Sequence, residues 1–134
     1  MDEYNELNAQ LLDVFMPNPS LKNVWHASAP RRLDQPVAEQ WRRELERKAA
    51  AENRPIVAII DASELHFVTA GAAIVLAQLT RQRWLNGFVF IASKRSMQGA
   101  LQMVAMLSAH DKVFVFSSLE AAQAFILMLV TRAA

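Results

Sequence analysis

Asp61-Ala62-Ser63-Glu64-Leu65-His66-Phe67-Val68-Thr69-Ala70-Gly71-Ala72-Ala73-Ile74-Val75-Leu76 is the stretch from which the fold is read. In front of it stands Ile56-Val57-Ala58-Ile59-Ile60, an unbroken apolar run closed off by Pro55 and Asp61. A run this short and continuous is the pattern of a strand buried on both faces, as in a parallel sheet. After a polar loop, Thr69 opens an apolar segment with a hydroxyl in the N-cap place. The spacing predicts a helix from Thr69 to Asn86, with Gly87 as its C-terminal stop.

The same alternation continues outward in both directions. Downstream, Phe88-Val89-Phe90-Ile91-Ala92 reads as a second buried strand. Ser96 to Ala109 reads as a helix with Met97, Leu101, Val104 and Leu107 or Ser108 along one side. Val113-Phe114-Val115-Phe116 is a third strand. Ser117-Ser118-Leu119-Glu120 reads as a capping box in which Ser117 and Glu120 satisfy each other's amides. The last helix follows, with Ala121, Ala124, Phe125 and Met128 expected inward. Upstream, Leu33 to Ala51 is helical, capped by Asp34, with Pro36 in the first turn, where no amide donor is needed. Val37, Trp41 and Leu45 form its apolar stripe, and Asn53-Arg54-Pro55 ends it.

Strands alternating with helices imply parallel pairing through right-handed crossovers. The expected architecture is therefore α/β: a central, mostly parallel sheet of four or five strands with helices packed against it. Val24 to Ala29 reads as a further strand. Leu12 to Met16 is expected as its antiparallel hairpin partner across Pro17-Asn18-Pro19-Ser20, with a short helix over Leu7 to Phe15 as the alternative. Residues 1–20 form a variable N-terminal extension or first strand of one domain spanning 1–134.

Composition narrows the function. The chain has 134 residues, 53% of them apolar and 20% charged, so it can bury one domain core. A net charge of +1 gives no field that would steer it to nucleic acid. The absence of cysteine excludes disulfides, thiolate catalysis and cysteine-ligated zinc. The acidic start Met1-Asp2-Glu3-Tyr4 is unlike an export signal, and the longest apolar run, Ala124 to Val130, falls far below the ~20 residues of a membrane span. A cytoplasmic protein with no membrane span is expected.

Catalytic chemistry finds no support in the pattern. His26, His66 and His110 have no second ligand at metal spacing, and Gly71, Gly87 and Gly99 stand too far apart for a phosphate loop. Asp61 ends a strand, a place where α/β enzymes carry catalytic carboxylates, and equally a place for a turn-capping aspartate. The expectation is a protein that is not an enzyme and needs no metal or cofactor.

The stretch from Ile60-Asp61-Ala62-Ser63 to Phe67-Val68-Thr69-Ala70-Gly71 resembles the STAS family, the fold of bacterial anti-sigma-factor antagonists. There a buried strand ends in Asp-Leu-Ser, and an apolar residue leads to Asp-Ser/Thr-x-Gly at a helix start. Leu33-Asp34 with Ala38 matches part of the family's Gly-x-Leu-Asp-x-x-Thr-Ala, without its glycine and threonine. Asn86-Gly87, Asp111-Lys112-Val113-Phe114 and Ser118-Leu119-Glu120-Ala121-Ala122 match its later elements, so the likeness covers roughly residues 24 to 128.

The resemblance implies a regulatory module that binds a protein partner, an anti-sigma factor or a kinase-like regulator. It places Thr69 at the hydroxyl that a partner kinase phosphorylates, and Asp34 near it on the partner face. Asp61, Val68, Ala70 and Gly71 complete the implied partner-binding set. Val68 stands where the family has an acidic residue. Read without the family, Thr69 and Asp34 are N-caps, and Gly71 lets a helix pack closely on the sheet. Trp84 and Met103 are candidate exposed apolar contacts. Two other readings remain open. One is a small apolar-ligand or lipid-binding domain using Met97, Met103 and Met106. The other is a homodimeric scaffold subunit joined through Ile126 to Val130.

Overall fold

The structure, a computed structural model, describes residues 23–107 and 112–133. The hairpin or short helix expected before Val24 lies outside these residues, as does the stretch from Ser108 to Asp111.

The elements within the described residues are, in order, β1 (Val24–Ser28), β2 (Arg32–Leu33), α1 (Gln35–Glu52), β3 (Ile56–Asp61), β4 (Phe67–Val68), α2 (Ala70–Thr80), β5 (Leu85–Ile91), α3 (Arg95–Leu107), β6 (Val113–Phe116) and α4 (Leu119–Ala133). β1, β3, β5 and β6 form one sheet in the order β1-β3-β5-β6, every neighbouring pair parallel. Val24 pairs with Val57 and Ser28 with Asp61 on one side of β3. On its other side Ala58 pairs with Phe88 and Ile60 with Phe90. Among the described residues the expected mostly parallel sheet has four strands, all of them parallel. β2 and β4 form a separate two-stranded parallel sheet.

All six residues of β3 are buried. Successive strand side chains point to opposite faces, so β3 serves two cores at once. Ala58 and Ile60 join Phe88, Phe90, Trp41, Leu45, Leu76, Leu101 and Val104 beneath α1, α2 and α3. Val57 and Ile59 join Val89, Leu119, Ala122, Ile126, Leu129 and Val130 beneath α4. Phe125 bridges Phe114 and Phe116 at ring-centroid distances of 4.3 and 5.4 Å on that second side. Burying a side chain the size of Ile59 contributes roughly 1.5–3 kcal/mol, so an all-buried strand holds both layers together.

α1 forms as its sequence directs. The Val37 amide donates to Asp34 Oδ1 at 3.2 Å, and Asn53 ends the helix in the left-handed region at φ 53°, its amide donating to Ala49 O. Its buried stripe is Ala38, Trp41, Leu45 and Ala49, with Val37 only half-buried at the edge. Trp41 meets Trp25 of β1 edge-on at 6.0 Å.

Two expectations are corrected. The helix from Thr69 ends at Thr80 rather than Asn86. The Arg81 amide donates to the carbonyls of Gln78 and Leu79, and Leu85, Asn86 and Gly87 belong to β5. Gly87 is therefore not a helix stop, and no glycine among the described residues has a positive φ. Its value is proximity. A Cβ there would lie 3.3 Å from both Leu129 Cδ1 and Phe114 Cε2, and the neighbouring Asn86 Nδ2 donates to Leu129 O at 2.9 Å. The strand lacks a side chain where α4 crosses it.

The last helix is also rotated from expectation. Ser118, not Ser117, caps it, its Oγ accepting the Ala121 amide at 3.1 Å. Leu119, Ala122, Ile126, Leu129 and Val130 are buried, while Ala121, Ala124 and Met128 are exposed and Phe125 is half-buried. From Ala121 to Val130 only Gln123 is polar, so the sequence offers almost no contrast to mark the inward face.

Two outcomes follow from this packing. Gly87→Val is expected to overpack the α4 contact and lower stability by about 1–3 kcal/mol in urea denaturation. An unchanged midpoint would mean that α4 does not lie on Gly87. The second concerns His26 of β1, whose pKa is lowered from 6.5 by burial and then by the Lys48 charge. The folded state therefore disfavours the imidazolium, while the unfolded chain takes up the proton near the ordinary value. Stability is expected to fall as pH drops below about 6.5 and to level off below the depressed native value. Comparing urea midpoints from roughly pH 7.5 to roughly pH 5.5, a range in which carboxylates stay ionised, should show this loss in the wild type and a flatter profile in His26→Gln.

Candidate functional site

The short β2–β4 sheet decides where the sequence-marked residues meet. Arg32 pairs with Phe67 and Leu33 with Val68. The His66 and Phe67 amides both donate to Arg31 O, at 2.8 and 3.0 Å, and the Thr69 amide donates to Leu33 O at 3.0 Å. Leu33 and Leu65, both fully buried, anchor the two segments in the core. Each dipeptide strand runs straight into a helix, so the pairing sets the N-termini of α1 and α2 side by side. This is the carboxyl edge of the main sheet, the edge at which open α/β sheets commonly bind their ligands.

Thr69 sits in extended conformation, φ −73° and ψ 157°, and its Oγ1 accepts the Ala72 amide at 3.1 Å. Asp34 does the same for α1. Both residues are thus N-caps, and both stand at positive helix-dipole ends. Gly71 explains how closely the two ends approach. A Cβ there would lie 2.9 Å from Gln35 Oε1 and 3.2 Å from Gln35 Cβ. The neighbour that Gly71 accommodates is therefore the first turn of α1, rather than the sheet. Ala70 is exposed, and Val68 is half-buried against the larger core.

Asp61 lies at the same edge but faces inward. It is 7% exposed, its Oδ1 accepts the Ser63 amide at 3.0 Å, and its carbonyl accepts the Ala29 amide at 2.8 Å. It shapes the loop that leads to Thr69. The structure therefore gathers Asp34, Val68, Thr69, Ala70 and Gly71 at one edge and gives Asp61 a supporting place behind them. Among the described residues, no group of three His, Asp or Glu side chains could hold a metal ion, and no helix is long and apolar enough to cross a membrane.

Sequence reasoning missed the exposed residues around this edge. Phe67 is 53% exposed, with the Arg32 guanidinium carbon 5.4 Å from its ring centroid. Ile74 is 54% exposed and continues an outward stripe of Ala70, Ile74 and Gln78 along α2. Arg31, Arg32, Lys94 and Arg95 are exposed near the ends of β1, β2 and β5, with Glu64 as an exposed acid beside them. The four-residue spacing of Ala70, Ile74 and Gln78 was the available signal. It shows only once the opposite face of α2 is known to be core.

The residues behind the other two readings are placed as follows. Met97 is half-buried against the larger core, and the side chains of Met103 and Met106 lie outside the described residues. Ile126, Leu129 and Val130 are packed into the chain's own second core, while Leu127 and Met128 are large apolar side chains of that helix that stay exposed. Trp84 is half-buried against the larger core.

No family model and no curated protein sequence matches the chain. A solved structure does: an uncharacterized protein of the DUF3478 family with a SpoIIAA-like fold from Shewanella loihica PV-4. The likeness covers 75% of this chain and 80% of that one, with 20% sequence identity and a TM-score of 0.55. At that identity the likeness is one of fold. The chain has a SpoIIAA-like fold, the fold that its STAS-like sequence pattern implies.

Proposed function

We propose that this chain is a regulatory protein-binding module, docking through the edge where the caps of α1 and α2 meet. The observation that carries the reading is the β2–β4 pairing. It fixes Thr69, Asp34 and Gly71 in one rigid place and leaves Phe67, Ala70 and Ile74 exposed around them. An exposed aromatic beside cations is the composition expected of an interface rather than of an indifferent surface. The fold and the sequence pattern together favour a partner of the anti-sigma-factor or kinase-like regulator class.

Thr69 is the switch in this reading. Its hydroxyl oxygen already caps α2, and a phosphate on it would add roughly two negative charges at a helix N-terminus, where the dipole favours them. Val68 contributes no carboxylate beside it, so the added charge would meet no like charge from that position. On the partner side the same charge would disturb an interface formed by Phe67, Ala70 and Ile74. No nucleophile, base and electrophile are assembled in this proposal, which assigns the chain binding rather than catalysis.

Thr69→Ala is expected to remove the cap acceptor at a cost of about 1 kcal/mol while leaving docking intact. Thr69→Glu is expected to abolish docking. A pull-down from extract of the source cells, with wild type and both variants as bait, reads this directly. One protein retained by wild type and Thr69→Ala but lost with Thr69→Glu supports the switch. Equal retention by all three removes it and leaves Thr69 as a cap.

A further inference from the structure

Four cations stand at the edge that carries Phe67 and Ile74: Arg31 and Arg32 ahead of α1, and Lys94 and Arg95 at the start of α3. All four are exposed, and none forms an ion pair among the described residues. The two pairs belong to one edge. β3 and β5 end level there, the Ala62 amide donating to Ile91 O at 2.8 Å, and α3 packs against β4 and α2. Against these cations Glu64 is exposed, while Asp61 is buried and Asp34 caps α1.

Helix stability does not account for this charge. A helix N-terminus is a positive dipole end and favours acids. None of α1, α2 and α3 has an acid in its first turn. Lys94 stands directly before α3, where a side-chain oxygen would cap the helix, and an ammonium has no acceptor to offer. Arg95 then opens the helix. Nor is the patch a sample of a basic protein, since the whole chain carries a net charge of only +1. Side-chain cations and helix dipoles therefore add at one place, around an exposed aromatic and an exposed isoleucine.

We infer, on the docking reading above, that the partner protein meets this edge with an acidic face: carboxylates opposite Arg31, Arg32, Lys94 and Arg95, around an apolar contact that covers Phe67 and Ile74. Arginines and aromatics are the residues on which interfaces concentrate their energy, and opposite charges steer the encounter. A phosphate on Thr69 acts in the same terms. It brings negative charge into the field that the partner's carboxylates occupy, so it competes with them and repels them. An anionic membrane is the other occupant of matching chemistry. Phe67 and Ile74 offer less apolar surface than a single acyl chain, too little for stable anchoring even beside a basic patch.

The test uses the protein that the wild-type chain retains from source-cell extract, identified, purified and titrated calorimetrically against the full chain. Affinity is expected to fall at least about tenfold between about 50 and about 300 mM salt, as exposed charge pairs are screened. Arg31→Glu with Lys94→Glu should weaken it at least about tenfold. Arg47→Glu with Arg83→Glu makes the same change in net charge on exposed residues near the other end of the sheet, and should leave affinity within about twofold. Lys94→Glu replaces a cation with an acid at a helix start, so the urea midpoint of the first pair should hold or rise, and unfolding then does not explain its loss of binding. Lysine substitutions at acidic residues of the retained protein should restore binding to the reversed chain. The inference is overturned, and the docking reading kept, if salt and the Arg31 and Lys94 reversal leave binding unchanged while Thr69→Glu abolishes it. Both fall if the wild type retains no protein. Saturable binding of the full chain to phosphatidylglycerol vesicles, lost on the Arg31 and Lys94 reversal, puts a membrane at this edge and overturns the inference as well.

Discussion

The fold depends on β3 being buried on every side. Ile56–Asp61 has a parallel neighbour along each edge and a helical layer over each face, so Ile56 to Ile60 are sealed from water and Asp61 at the carboxyl end is only 7% exposed. The sealed part of a strand in that position must be apolar, and both of its faces must be covered by crossover helices. The rest follows from that requirement. α1, α2 and α3 cover one face, α4 covers the other, and Gly87 gives up its side chain where α4 lies against β5.

Parallel strands joined by helices deliver successive helix starts to the same edge of the sheet. In this chain two of those starts are tied by a second, minimal sheet of two dipeptides. The tie turns an ordinary feature, two N-capped helices, into a defined surface. Asp34 and Thr69 are fixed with respect to each other through Leu33, Val68 and the bond from the Thr69 amide to Leu33 O. Gly71 lets the first turns approach, and buried Asp61 shapes the intervening loop. Placing Phe67 and Ile74 outward on this rigid base separates the parts that hold the fold from the parts left free for another molecule.

What the sequence disclosed was mostly local. The β3 run is recognisable because it is short, unbroken and bounded by Pro55 and Asp61. The caps at Asp34 and Thr69 are recognisable because capping couples one side chain to an amide three residues on. The parallel order of the four described strands follows from the alternation of elements. Other features are long-range and left no local mark. Arg32–Leu33 and Phe67–Val68 are too short to show a period, so their pairing was not visible. Gly87 suits a helix stop as well as a close crossing, and only the position of Leu129 decides between them. The inward face of α4 was misjudged because nearly every residue along it is apolar, and its cap lies one residue later than the Ser117 pattern suggests. A cleft lined by Arg42, Glu46, Gln78, Leu79 and Trp84 is assembled from α1 and the end of α2, which no linear motif joins.

The central claim is that a protein partner docks at the edge carrying Phe67, Ala70 and Ile74. Site-specific photo-crosslinking in the source cells tests it most directly. A photoreactive residue is placed at Phe67 or Ile74 and, for comparison, at Leu127 on the opposite layer. The account predicts a discrete crosslinked protein from the first two positions and none from Leu127. Adducts from Leu127 alone, with none from Phe67 or Ile74, would contradict it and place the working surface on α4.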